Sequence, residues 1–438
     1  MIGTDDGAGG AETKPVLIFI IDRLNYYRLL GALIDEGLRQ GFRVECWHDY
    51  SQPQTGRRDY LFPAIEKGPA FNHGKPDCRP FRGISEVSDR CRELGAATVF
   101  SLFPPTWYPE FAKPEGTRWY CLQHGQDVFF SNPLRTMVAS DAILIMAPFW
   151  IEFALDHYRS KGPVTAEDEA EFRGKCRLVG FPEADSFHHL DPAAIRRKFG
   201  LPPGKKVVLY LPWDKNVDFG AWSAAFSFPS RPRRFVKSLM ANPGFLRFLL
   251  EGWHEFAVFR GLKKWCRREN AVLIVKSRKK SMDGRYISAW ADGYHLDLSD
   301  YPPTIIELLR ISDLCLHYYS FATQEIAAAE VPAICVHMDP FTDKHEGFLP
   351  FRALMLNRDR NFFLWKGFSQ VLDVRELLSR FRGDSFERLA SSDREGIQGF
   401  QDEYLGRTDG QACARALRAA QIAPEAAEAA RRTPDVRT

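Results

Sequence analysis

Short, largely apolar runs recur through most of this chain, interleaved with polar turns and stretches with helical spacing. They fall at 16–21, 43–47, 98–102, 118–123, 142–146 and 177–179, and then at 207–211, 271–276, 294–298, 314–316 and 333–336. A strand that is apolar on both faces must be covered on both, and helices packed on each side of a parallel sheet provide that cover. The alternation therefore predicts an α/β protein. It breaks at Gly180-Phe181-Pro182 and again at the Gly and Pro residues of 200–203, with a polar helix (192–199) between. The expected architecture is two doubly wound parallel-sheet domains, each Rossmann-like, facing one another across a cleft. Their bounds read as 14–185 for the first domain, 186–206 for the linker and 207–385 for the second domain. Helices at 386–422 are expected to pack back on the first domain, and 423–438, rich in Ala, Glu, Arg and Pro, to be disordered.

Composition removes several classes. At 438 residues and 45% hydrophobic content the chain is long enough for two or three globular domains. Residues 1–13 are acidic and glycine-rich, unlike a secretory leader, and 16–21 is too short to span a bilayer. A cytoplasmic protein is expected. Nine cysteines are scattered without a CxxC pair or a zinc-type Cys/His spacing, so no metal centre is expected, and several thiols fall in apolar runs where they should be buried. The net charge of +3 hides a concentration: residues 228–280 hold 14 Lys and Arg against 3 Asp and Glu, interleaved with aromatics. That stretch suits an anionic membrane surface or a phosphate-rich partner. It equally suits an amphipathic helix with its aromatics in the core and its arginines in water. No nucleic-acid-binding motif accompanies the charge, so nucleic acid is not an expected partner.

Four places have the residue types that chemistry needs. The stretch 312–336 reads as strand, polar turn, helix and strand, with Tyr319, Ser320, Thr323 and Glu325 around the turn. Amides at the start of a helix attract phosphate, and a carboxylate nearby can hold a ribose, so this turn is a candidate seat for a nucleotide diphosphate. In RWYCLQHGQ (118–126), His124 ends a strand with Gly125 behind it, a suitable position for a general base. Lys276 ends the strand AVLIVK, and Arg278, Lys279 and Lys280 extend a positive loop able to meet phosphate. Asp214, after LYLPW, could meet a sugar or nucleotide hydroxyl. For each of these, a structural or solvent-facing role is the alternative. GxGxxG after the first strand, GxxxxGK[ST], HExxH and GxSxG are all absent, so nicotinamide, P-loop, zincin and serine-esterase chemistries are not supported.

Taken in order, four segments resemble the GT-B superfamily of nucleotide-sugar transferases, and within it the CDP-glycerol glycerophosphotransferase and surface-polysaccharide branch. LQHGQ (122–126) is similar to the histidine-glycine turn that supplies that family's base. CRLVGFPEAD (176–185), with KKVVLYLPWDKN (205–216), is similar to the step into its donor domain. SDLCLHYYSFATQE (312–325) is similar to its tyrosine, serine and acidic arrangement, and EYLGRTDGQACARAL (403–417) to the step before its terminal helix. Three places depart from the pattern: Ser277-Arg278 stands where the family has a histidine-proline pair, Pro212-Trp213-Asp214 where it has a threonine or serine and often an arginine after the proline, and Phe321 where it has a second serine.

The resemblance implies a transferase that moves a sugar or polyol phosphate from a nucleotide diphosphate donor to a glycan or lipid-linked acceptor, in the cytoplasm or at the inner face of the membrane. On that footing His124 is the base. Ser320, Glu325, Lys276, Tyr319, Thr323, Asp214 and Arg278 bind the donor and no cofactor or metal is needed; 228–280 stays, from its charge, a candidate for an anionic membrane surface. Nucleotide-sugar 2-epimerases share the frame and end their donor motif in a step like Gln324-Glu325. A silent glycan-binding member of the fold is a third expectation.

Overall fold

The structure is a computed structural model. It describes residues 15–23, 26–50, 68–125, 132–212, 255–278, 285–297, 301–318, 320–337 and 367–421, with a few isolated positions between. The first sheet contains β1 (Val16–Ile21), β2 (Val44–Asp49), β3 (Asp77–Phe81), β4 (Ala97–Ser101), β5 (Thr117–Leu122), β6 (Ala142–Ile145) and β7 (Cys176–Leu178). The second contains β8 (Lys206–Tyr210), β9 (Ala271–Arg278), β10 (Gly293–Asp297), β11 (Leu314–His317), β12 (Ala333–His337) and β13 (Ser369–Asp373). Strand order is β3-β2-β1-β4-β5-β6-β7 in one and β10-β9-β8-β11-β12-β13 in the other. Every pairing is parallel. Both sheets reverse direction beside their first strand, so β1/β4 and β8/β11 are the switch points where such folds collect ligands.

Inside the sheets the apolar runs are strands because helices cover them on both faces. All six residues of β1 are buried: Leu17, Phe19 and Ile21 share a core with Leu29, Leu30, Leu33 and Ile34 of the helix Tyr27–Arg39, and Val16, Ile18 and Ile20 belong to the core on the other face. Helix starts are fixed by side chains: Thr165 and Asp168 form a capping box for Ala166–Lys175, and Asp191 and Asp373 cap Pro192–Lys198 and Val374–Gly383. Two strands, β3 and β13, lie outside the expected series. Both are edge strands, β3 largely open to solvent and containing Pro80, β13 half-open with Gln370 and Asp373 on it, so neither is a continuous apolar run.

Within 228–280, the helix Glu255–Arg268 turns Val258, Phe259, Leu262, Trp265 and Cys266 into the core, while Arg260, Lys264, Arg267 and Arg268 are exposed. Trp265 stacks on Phe386 at 5.4 Å, and its Nε1 donates to the Asp384 carbonyl at 3.1 Å. For that helix the amphipathic reading holds. Most of the remaining stretch lies outside the described residues. No helix among the described residues is long and apolar enough to cross a membrane.

The chain passes between the sheets twice. It leaves the first sheet through the 3-10 turn Pro182–His189 and the helix Pro192–Lys198, and it returns through Arg394–Phe400 and Gln401–Leu405 to the helix Ala412–Gln421, which packs on Tyr27–Arg39. The two passages touch. Gly180 has φ +88°, and a side chain there would strike the Arg407 carbonyl; one at Gly406 would strike that of Met146. The Asp185 carboxylate accepts from the amides of Ala412 and Cys413 at 3.1 and 2.7 Å, and Trp150 Nε1 donates to the Tyr404 carbonyl at 2.7 Å.

Candidate functional site

At the carboxyl end of β5 the chain stops pairing and turns. The Gln123 side chain fastens that turn: its Nε2 donates to the Gly125 carbonyl at 3.0 Å, and its Oε1 accepts from the Met146 amide beyond β6 at 2.9 Å. His124, half-buried, is held on this clip. Gly125 has φ +51°, and a side chain there would sit 3.7 Å from Phe321 Cδ1 of the second domain. The His124-Gly125 turn therefore packs directly on the residue that follows Ser320.

The facing turn comes from β11. Ser320 Oγ accepts from the Ala322 amide at 3.2 Å, and the Ser320 carbonyl accepts from the Thr323 amide at 3.0 Å and its hydroxyl at 2.6 Å. The Gln324 amide donates to the Phe321 carbonyl at 3.0 Å. Three amides of the expected phosphate seat are thus engaged within the turn. Thr323, fully buried, shapes the loop with the hydroxyl that was expected to meet the donor. Phe321 is wedged between Phe362 and Phe363, each ring 5.6 Å away.

Glu325 is buried, and its Oε1 lies 3.5 Å from the Arg28 guanidinium of the first domain. Arg28 also lies 3.7 Å from Glu183 in the outgoing passage. One cation is thus shared by two buried carboxylates from different parts of the chain. At an effective dielectric of 20 each contact is worth about 4–5 kcal/mol of Coulomb attraction, and desolvation of the ions costs several kcal/mol each, so the cluster orients the domains more than it stabilises them. Gln324 Nε2 adds a contact at 3.5 Å to Met146 Sδ across the same boundary.

Lys276 lies on β9, buried, level with His317 by register and two strands from it, about 10 Å along the sheet. Arg278 ends β9, with its side chain outside the described residues; Tyr319 and Asp214 lie outside them altogether. The structure thus brings His124, Ser320, Thr323 and Glu325 to one boundary and keeps Lys276 two strands along.

Four further residues sit at these carboxyl ends. Two are Arg28 and Glu183. The third is Asp22, directly after β1: the Tyr108 hydroxyl donates to its Oδ1 at 2.6 Å, and its Oδ2 has no hydrogen-bond partner among the described residues. Burial, reinforced by Asp49, pushes this carboxyl up to about 7 against the Tyr108 bond. The fourth is His317 at the end of β11, wholly buried, with Nδ1 3.1 Å from the Tyr318 carbonyl and Nε2 without a hydrogen-bond partner among the described residues. Burial pushes it down to about 4, so it is neutral near pH 7. A polar residue closing an apolar strand was the sequence signal for Asp22 and His317. Arg28, inside a helix, gave none.

No family model matches the sequence, and no curated protein matches it. Solved structures do match. The wall teichoic acid polymerase TagF superposes with a TM-score of 0.58 at 13% identity, over 96% of this chain and 90% of that one. The chain has a GT-B fold. A TagF structure soaked with CDPG gives a TM-score of 0.56 at 14% identity, over 96% and 90% of the two chains. A putative UDP-N-acetylglucosamine 2-epimerase from Listeria monocytogenes gives 0.51 at 11%, over 93% and 96%. Such identities carry the GT-B frame and leave its chemistry to the residues in the cleft.

Proposed function

We propose that this GT-B protein is a transferase, moving a sugar or polyol phosphate from a nucleotide diphosphate donor to a hydroxyl of a glycan or lipid-linked acceptor. The observation that carries the reading is the packing of the His124-Gly125 turn on Phe321, which sets a base candidate beside the loop of Ser320 and Glu325. His124 takes the proton of the acceptor hydroxyl as its oxygen bonds to the transferred group; the bond to the nucleotide phosphate breaks, and the nucleotide leaves with that electron pair. Ser320 and Lys276 meet the charge growing on the departing phosphate, and Glu325 accepts hydrogen bonds from the ribose. Tyr319, Asp214 and Arg278 belong to the same proposed donor seat.

His124→Ala should lower transfer by two to four orders of magnitude, the usual weight of a positioned base, while nucleotide still raises the melting temperature. Undiminished transfer in that variant removes the role. In a thermal-shift panel of CDP, UDP, GDP and CMP, a true ligand at about 100 times its dissociation constant adds about 2.7 kcal/mol. No response to any of them favours a silent glycan-binding protein. The Gln324-Glu325 step and the likeness to a putative 2-epimerase support a second reading. Conversion of a UDP-sugar without acceptor favours it; nucleotide release only with acceptor favours the transferase.

A further inference from the structure

At the outer edge of the first sheet, remote in sequence from both cleft turns, β2 and β3 set two thiols side by side. Cys46 and Cys78 are register partners in that parallel pair, so their side chains leave the same face. Neighbouring strands run about 4.8 Å apart, within the Cα separation of about 4.4–6.8 Å that a disulfide bridges. Both thiols are free; Cys46 is buried, and Cys78, on the edge strand, is only half-buried. Two further groups close round them. His48 lies two residues beyond Cys46 on β2, and the Tyr27 hydroxyl sits 2.6 Å from His48 Nε2 and 3.9 Å from Cys78 Sγ.

We propose that Cys78 and Cys46 form a peroxide-oxidisable pair, in which Cys78 attacks and Cys46 resolves. The placement gives each sulfur a distinct part. The neighbouring Cys46 thiol above all, and then His48, push the Cys78 thiol down to about 5, against its burial. Burial above all, and then the sulfur beside it, push Cys46 well up. The two directions favour the proton on the buried inner sulfur and the thiolate on the outer one, which is also the sulfur open to small oxidants. The other seven thiols are buried, and burial raises every one of them, so they are poor competitors.

The chemistry balances with hydrogen peroxide as oxidant. The Cys78 thiolate attacks one peroxide oxygen; the S–O bond forms, the O–O bond breaks, and hydroxide leaves and takes up a proton as water. Cys46 then gives up its proton and attacks the Cys78 sulfenic sulfur, so that the S–S bond forms, the S–O bond breaks and a second water departs. Two electrons pass from the sulfurs to the peroxide, and an ordinary dithiol reverses the change. This chemistry does not depend on the transferase reading.

The test begins with the full-length wild-type protein. Alkylation of Cys78 by iodoacetamide, followed by peptide mass spectrometry, should change little between pH 6 and pH 8, whereas an ordinary cysteine slows about 75-fold on going to pH 6. After hydrogen peroxide, non-reducing digests should contain a Cys46–Cys78 cross-linked peptide two hydrogens lighter than its parts and lost with dithiothreitol. Cys46→Ser, with its native circular dichroism spectrum intact, should stop at a dimedone-reactive sulfenic acid on Cys78. Ordinary pH dependence at Cys78, or oxidation without the cross-link, overturns the proposal even if the serine variant fails to fold.

Discussion

Asp22 and His317 occupy matching places on the two sheets, each at the carboxyl end of a strand beside its sheet's switch point, and burial treats them oppositely. The acid is pushed up to about 7 and the base down to about 4, so each is held toward its neutral form. The charged residues Arg28, Glu183 and Glu325 are instead grouped with one another where the two domains meet. The cleft thus keeps its deep polar groups toward their neutral forms and its ion pairs where the domains join. The difference also bears on stability. Between pH 3.8 and about 7 the native state holds a proton on Asp22 that the unfolded chain has released, so its contribution is present at low pH and lost as pH rises through that window. Between about 4 and 6.5 the unfolded chain protonates His317 and the native state does not, so its contribution is present above 6.5 and lost as pH falls. Over the shared window the two slopes oppose one another.

The largest expected effect tests the division between neutral edges and charged boundary. Arg28→Ala leaves Glu183 and Glu325 buried without their shared cation and should cost about 3–5 kcal/mol in urea unfolding. Adding Glu183→Gln should recover part of the loss; an Arg28→Ala protein as stable as wild type would mean that the boundary charges are solvated instead. Next come the paired slopes. A tenfold difference in proton affinity between the native and unfolded chain is worth about 1.4 kcal/mol, so each group carries on the order of 3 kcal/mol across its window. Asp22→Asn should therefore make stability rise from pH 4 to 6.5, and His317→Phe should make it fall, while the wild type stays nearly flat there. Equal slopes in all three would show that these groups do not titrate as their burial requires. The smallest is Gly125→Ala: the added methyl reaches Phe321 at ordinary contact distance, so the cost is the left-handed backbone alone, about 1–2 kcal/mol. A much larger loss would mean that the two turns meet more tightly than Phe321 allows.

What could be read in the sequence follows what is local. The nine runs inside the sheets became strands because a doubly covered strand must be apolar on both faces; the edge strands β7 and β10 still kept enough apolar residues to be read, whereas β3 and β13, also at edges, did not. The turns at His124 and Ser320 were visible because strand, small residue and polar group lie within a few positions. That Thr323 and three amides serve the turn itself depends on side-chain directions that spacing does not fix. Arg28 and Glu325 are joined by the fold across nearly 300 positions, and no pattern within either helix reports the other.

The chain's double passage between the sheets has a mechanical consequence. One connecting strand lets two bodies swivel and twist about it; two strands lying side by side, fixed at Gly180, Asp185, Gly406 and Ala412, act as a pair of door hinges. The line through both pins becomes the axis of easy rotation, and sliding or twisting of one domain past the other is resisted. Rotation about that axis is the domain motion such a double connection permits, and it would bring the page bearing His124 back to the page bearing Ser320 in the same register.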